Sequence, residues 1–300
     1  MKREKNILKL SALGGLFFAV LGIVWGTIIN SSMIMFDGLY ALISLLLSML
    51  SIGITNYIEK TDFDKFPFGK GMLEPIMVAF HSIVLAVMCS LTFINGIKEF
   101  IEGGNSVDAD LALGYSLISS VGCALVYVIM YRMRKNVPSD IVKAENNQWL
   151  MDTFLSIGVL CGFIVSIVLE MNSLSHLTKY VDPLMVIISS ILFIRVPIIM
   201  LHKSFKEIIN SSADEEINDR IYTIVKNIEE EYNFEDSITR VSKIGRELRI
   251  EIDFVFNDNS TLNELEEMDK VREEVYKNMK SLNFKKWLNV NFTGDRKWAL

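Results

Sequence analysis

Histidine and cysteine are scarce in this chain, with three of each in 300 residues. The histidines are His81, His176 and His202, so beyond about Lys206 neither residue type occurs. Any metal held in that stretch has to be met by oxygen ligands. The cysteines Cys89, Cys123 and Cys161 all fall inside apolar runs and lack the spacing of a zinc motif, which reads as small core residues. Excess positive charge is also missing. A net charge of -6 and a pI near 5.3 leave no general basic surface for a phosphate backbone, which argues against nucleic acid as a partner. No phosphate-cradling glycine loop, nucleophile elbow or catalytic triad context appears, so the chain does not read as an enzyme. The apolar run that begins near Ile7 has a basic flank but no small-residue cleavage site before Ile29, so it reads as a first membrane span rather than a signal segment.

What the chain has in quantity is apolar length. A bilayer core of about 30 Å takes roughly 20 apolar residues in helical form. Runs of that size lie near 7–29, 33–58, 73–97, 112–131, 147–169 and 183–201, which predicts a six-helix transmembrane bundle. Lys2, Arg3, Lys5, Lys9, Lys60, Lys65, Lys70, Arg132, Arg134, Lys135 and Lys143 fall at the N-terminus and in alternate connections, whereas the opposite connections offer only Lys98 and Lys179. The first of those opposite connections is a tight turn at Asn30 and Ser31. The bias places both termini in the cytoplasm. Charged residues become frequent after about Lys203, so the expected division is 1–205 in the membrane and 206–300 as a cytoplasmic domain.

That tail reads as α+β. Ile217, Ile221, Ile224, Val225 and Ile228 mark one face of a helix over Asp214 to Glu231. Ile238 to Ile244 and Glu247 to Phe256 alternate around Gly245 as a hairpin. A second helix spans about Leu262 to Met279, capped by Ser260 or Thr261, and a last strand covers Trp287 to Phe292. The acidic run Glu229, Glu230 and Glu231 reads as a solvated helix end.

Three segments carry a likeness. Ser31-Ser32-Met-Ile-Met-Phe-Asp37-Gly-Leu-Tyr40-Ala-Leu-Ile-Ser44 resembles an S-x-x-x-x-x-D-x-x-H/D-x-x-x-D segment. Phe66-Pro67-Phe68-Gly69-Lys70-Gly71-Met72-Leu73-Glu74-Pro75 resembles an F-P-F-G-x-G-x-x-E-P loop. Ala144 to Asp152 is similar to A-x-x-x-H-x-x-x-D. Together with the span count and the αββαβ tail, these resemble the cation diffusion facilitator family of metal/proton antiporters, from about Leu10 to Thr293. The resemblance implies a ferredoxin-like cytoplasmic domain, a homodimer in a bacterial-type inner membrane, and a divalent cation carried against protons, with no resident cofactor. It also implies a mid-membrane ion site on the second and fifth spans. The matching positions here are Tyr40 and Ser44, and Gln148 and Asp152, a depleted set in which Asp152 is the one strong ligand. The loop position that is often histidine in the family is Lys70, and the family's zinc sites in the tail do not carry over. The tail then uses oxygen ligands or simply dimerises.

Polar residues inside spans are costly, so each is a functional candidate. Asp37, Tyr40, Ala41, Ser44 and Ser48 share one face of the second span, and Glu145, Gln148, Asp152 and Ser156 one face of the fifth. An all-oxygen site of this kind suits Mn²⁺, Mg²⁺ or Ca²⁺ better than zinc. Asp37 lies nearer the outer surface, so either it or Asp152 can carry the coupled proton. Arg195, close to Pro197 in the last span, demands a partner, either Glu145 as a structural lock or Asp152 as a substitute for the ion. Each residue also has a plainer reading. Ser44, Ser48 and Ser156 let helices approach, Tyr40 and Gln148 make interhelical hydrogen bonds, His81 is an interior histidine rather than a pathway residue, and His176 is solvated in an outer connection. The rival reading of the whole chain is a non-transporting relative, a membrane scaffold or regulatory dimer whose tail binds a partner.

Overall fold

The computed structural model describes residues 2–60, 64–134, 140–172, 174–245, 247–258, 260, 262, 264–282 and 284–299. Along the chain run α1 (Lys2–Ile28), α2 (Ser32–Glu59), α3 (Leu73–Ile101), α4 (Ala109–Arg134), α5 (Asp140–Met171), the single turn α6 (Ser175–Thr178), α7 (Val181–Ile208), α8 (Glu215–Glu231), β1 (Asp236–Ile244), β2 (Glu247–Val255), α9 (Leu265–Asn278) and β3 (Lys285–Thr293). Five helical stretches are long and apolar enough to cross a membrane: Lys9–Ile28, Leu73–Ile101, Ala109–Met133, Gln148–Met171 and Ser175–Ile208. The second helix contributes the shorter apolar stretch Ser32–Leu47 among the described residues. The described chain divides into two compact units, Met1–Ile52 with His81–Ile199, and Gly53–Phe80 with Met200–Leu300.

In the first unit the helices present apolar side chains outward, among them Leu13, Phe17, Leu91, Ile94 and Leu192. In water such surfaces would drive aggregation, but lipid tails are as apolar as leucine, and the surfaces are what a bilayer requires. Between helices, small residues permit contact. At the α1–α2 crossing a Cβ on Gly22 would lie 2.8 Å from the Gly38 Cα, and one on Gly26 would lie 2.6 Å from the Met35 nitrogen. The two backbones touch because nothing larger than hydrogen fits there. The connection is tight because Asn30 takes a left-handed conformation (φ 56°) and Ser31 N–H reaches back to the Gly26 carbonyl at 2.9 Å. The buried Asp182 at the start of α7 then caps α2, accepting from Ser31 Oγ at 2.5 Å and Ser32 N–H at 2.9 Å, while Ser32 Oγ donates to Glu99 of α3 at 2.6 Å.

The second unit holds a sheet of order β1-β2-β3, with β1–β2 antiparallel about the Gly245 turn and β2–β3 parallel across α9. Leu248, Ile250, Ile252 and Phe254 alternate inward and are fully buried, meeting Ile221, Val225 and Ile228 of α8 and Val271 and Val275 of α9. Glu229, read as part of a solvated helix end, is buried, pairing with Lys226 and accepting from Ser237. The α9 N-terminus also differs from expectation. Its cap falls at Glu264, whose N–H donates to Glu267 at 3.2 Å, whereas Ser260 turns back to bond Asn257 and Asn233; Thr261 lies outside the described residues.

The Phe66–Gly69 loop belongs to this unit. Gly69 is left-handed (φ 76°), Phe68 rests against Trp287 with ring centroids 6.1 Å apart, and Arg249 donates to the Phe68 carbonyl at 3.3 Å. Lys70, where the family often has histidine, is buried: its ammonium donates to the Lys60 carbonyl at 2.8 Å and lies over the Tyr57 ring at 4.1 Å, closing the end of α2.

Candidate functional site: a polar cavity among α1, α2, α4 and α5

The first unit contains a partly open cavity of about 130 Å³, large enough for several waters or a partly hydrated ion. From α2 it is lined by Asp37, Tyr40 and Ser44, and from α5 by Gln148, Asp152 and Ser156. The two polar stripes read from sequence therefore open onto one space. Their spacing of three and four residues puts each set on one helical face, and the depth of the residues puts both sets within the apolar stretches. Tyr40 hydrogen-bonds Ser44 one turn on and lies within electrostatic reach of Asp152.

Two further helices complete the lining. α4 contributes Ser119 and Cys123, and α1 contributes Ser11, Gly15 and Phe18. Tyr115, one turn before Ser119, donates its hydroxyl to Asp37 Oδ2 at 3.0 Å, a place open to it because Gly22 has no Cβ. Ser119 and Ser156 are 3.2 Å apart, Ser156 Oγ donates to the Asp152 carbonyl at 2.9 Å, and it lies 3.8 Å from the Cys123 sulfur. Trp149 Nε1 donates to Ser11 Oγ at 2.9 Å, fixing the α1 wall to α5.

Other expectations fare differently. Arg195 is exposed; the Glu145 side chain, one of the two partners considered, lies outside the described residues, as does that of Ser48. A guanidinium on an exposed helix face has its long stem free to reach toward a polar boundary. His81 is half-buried and does not line the cavity, and His176 is exposed on α6. Cys89 and Cys123 are buried core residues as read, and Cys123 also lines the cavity, but Cys161 is exposed, so the reading of that residue as a core residue is corrected. Tyr115, Ser119 and Cys123 were missed as a set: their four-residue spacing puts them on one helical face, but serine and cysteine on an apolar helix are equally what packing calls for. Among the described residues no three of His, Cys, Asp and Glu gather closely enough to form a ready-made metal site.

Apolar helices long enough to cross a bilayer, with a polar cavity among them and a small α/β unit besides, define a multi-pass membrane protein. Residues 8–209 match the cation efflux transmembrane domain, and the chain belongs to that family, the cation diffusion facilitators. Its members are metal cation efflux transporters. A search of the curated proteins finds no match.

Proposed function

We propose that the chain exports a divalent cation in exchange for protons, using the α1–α2–α4–α5 cavity as its ion site. The single observation that carries this is the cavity itself, which brings Tyr40, Ser44, Gln148 and Asp152, the positions implied by the family resemblance, into one space with Asp37. In this reading Asp152 is the principal ligand, Gln148 and Tyr40 add neutral oxygens, and Ser44 orients Tyr40. Asp37, held by Tyr115, carries the coupled proton. The cavity fills from the cytoplasm, α2 and α5 rock against their neighbours, and the ion leaves outward as a carboxylate takes its proton. The remaining parts of the proposal are six spans over 1–205 and a cytoplasmic ferredoxin-like domain over 206–300. They also include both termini inside, a homodimer, and a bacterial-type inner membrane.

The scaffold reading draws support from the absence of a ready-made metal cluster among the described residues. It is weakened because Arg195 lies on an exposed part of its helix. The separating experiment is flux into proteoliposomes across Mn²⁺, Zn²⁺, Fe²⁺, Co²⁺, Ni²⁺ and Mg²⁺, with Asp152→Ala as the control. Flux of at least one ion that depends on a pH gradient and is lost in the variant supports transport. No pH-coupled flux of any of them supports the scaffold.

A further inference from the structure

The cavity's walls change the ligand chemistry that the α2 and α5 stripes alone would give. Those stripes offer oxygen, but α4 brings the Cys123 sulfur into the same space, and Met49 of α2 adds a thioether. Cys123 is buried and within electrostatic reach of both Asp152 and Asp37. Its hydrogen-bonding neighbours in the wall are Ser119 and Ser156, and Ser156 has a single hydroxyl proton. The 2.9 Å contact to the Asp152 carbonyl claims that proton, and the 3.8 Å contact to sulfur is the weaker. Sulfur is a weak acceptor, so these hydroxyl contacts leave it lone-pair capacity for a ligand, while the Ser156 hydroxyl fixes the position of Asp152's turn beside it. Asp37 is engaged differently, because its Oδ2 already takes the Tyr115 hydroxyl.

We propose that Cys123 is a ligand to the transported ion, pairing with Asp152 so that the cavity selects thiophilic divalent cations over hard ones. The proposal rests on the transport reading above and names its specificity residue. The metal–sulfur bond forms as the thiol proton leaves to water in the cavity, and Gln148, Tyr40 or water fills the remaining positions. A thiolate–carboxylate pair favours borderline and soft ions, whereas Mg²⁺ and Ca²⁺ demand oxygen all round.

Full-length protein in nanodiscs, titrated with Co²⁺, provides the direct test. A thiolate-to-cobalt charge-transfer band in the near ultraviolet is expected. It is lost in Cys123→Ser while the weaker d–d bands remain, it is retained in Cys161→Ser, and both sets of bands are lost in Asp152→Asn. In proteoliposomes Cys123→Ser should lower Cd²⁺ flux by about tenfold or more and leave Mn²⁺ flux in place, the size expected from removing a group that tunes a metal site. A wild-type spectrum without the charge-transfer band, or a band that survives in Cys123→Ser, overturns the proposal whether or not the protein transports. Asp152-dependent flux that ignores Cys123 overturns it while leaving the transport reading intact.

Discussion

Asp37 and Asp152 are both aspartates set in apolar helices, and both line the cavity. Asp37 receives the Tyr115 hydroxyl at 3.0 Å, so Tyr115→Phe leaves that carboxylate oxygen without this donor and should cost about 1–3 kcal/mol of stability. A double-mutant cycle with Asp37→Asn, followed by thermal unfolding in detergent, checks this. The two losses should be clearly non-additive, and additive losses would mean that the hydrogen bond contributes nothing. Trp149→Phe removes the bond to Ser11 and should cost about 0.5–1.5 kcal/mol in the same assay. Arg195→Gln should leave Asp152-dependent flux in place, because Arg195 is exposed. Loss of that flux would put Arg195 back in the pathway. Position along a span told the depth of Arg195 but not its direction around the helix, and for that reason its partner could not be read from sequence.

At the scale of elements, the α2 and α5 stripes were legible because carboxylate, amide and phenol side chains stand out in apolar helices at three- and four-residue spacing. The α4 stripe was not, because serine and cysteine are equally at home in helix packing and only the cavity distinguishes them. The β1–β2 hairpin was legible from alternation and from the glycine at its turn. Gly245 is left-handed (φ 55°), its N–H donates to Glu207 at 2.9 Å, and a Cβ there would meet the Glu74 carboxylate at 2.6 Å. Gly245→Ala should therefore destabilise by about 1–2 kcal/mol, measured as a lowered thermal midpoint of the full chain. The contacts themselves were invisible beforehand, since Glu74, Glu207 and Gly245 are distant in sequence. The same holds for Phe68 against Trp287. The cap of α9 was misplaced by a few residues because Ser260 found competing partners in Asn257 and Asn233.

For the molecule as a whole, composition alone separated an apolar part from a charged tail; in the structure one unit exposes apolar helices and the other, which also takes in Gly53–Phe80, buries an apolar core beneath a sheet. The proposed function depends on the first unit containing a polar space that apolar packing alone would not leave. Cation–proton exchange through that space is tested most directly by loading proteoliposomes with a pH-sensitive dye, imposing a gradient of Cd²⁺ and, separately, of Mn²⁺, and comparing wild type with Asp152→Asn. Exchange predicts proton movement opposite to the ion in the wild type and none above the protein-free rate in the variant. Proton movement that is absent for both ions in the wild type, or equal in the two proteins, would contradict it.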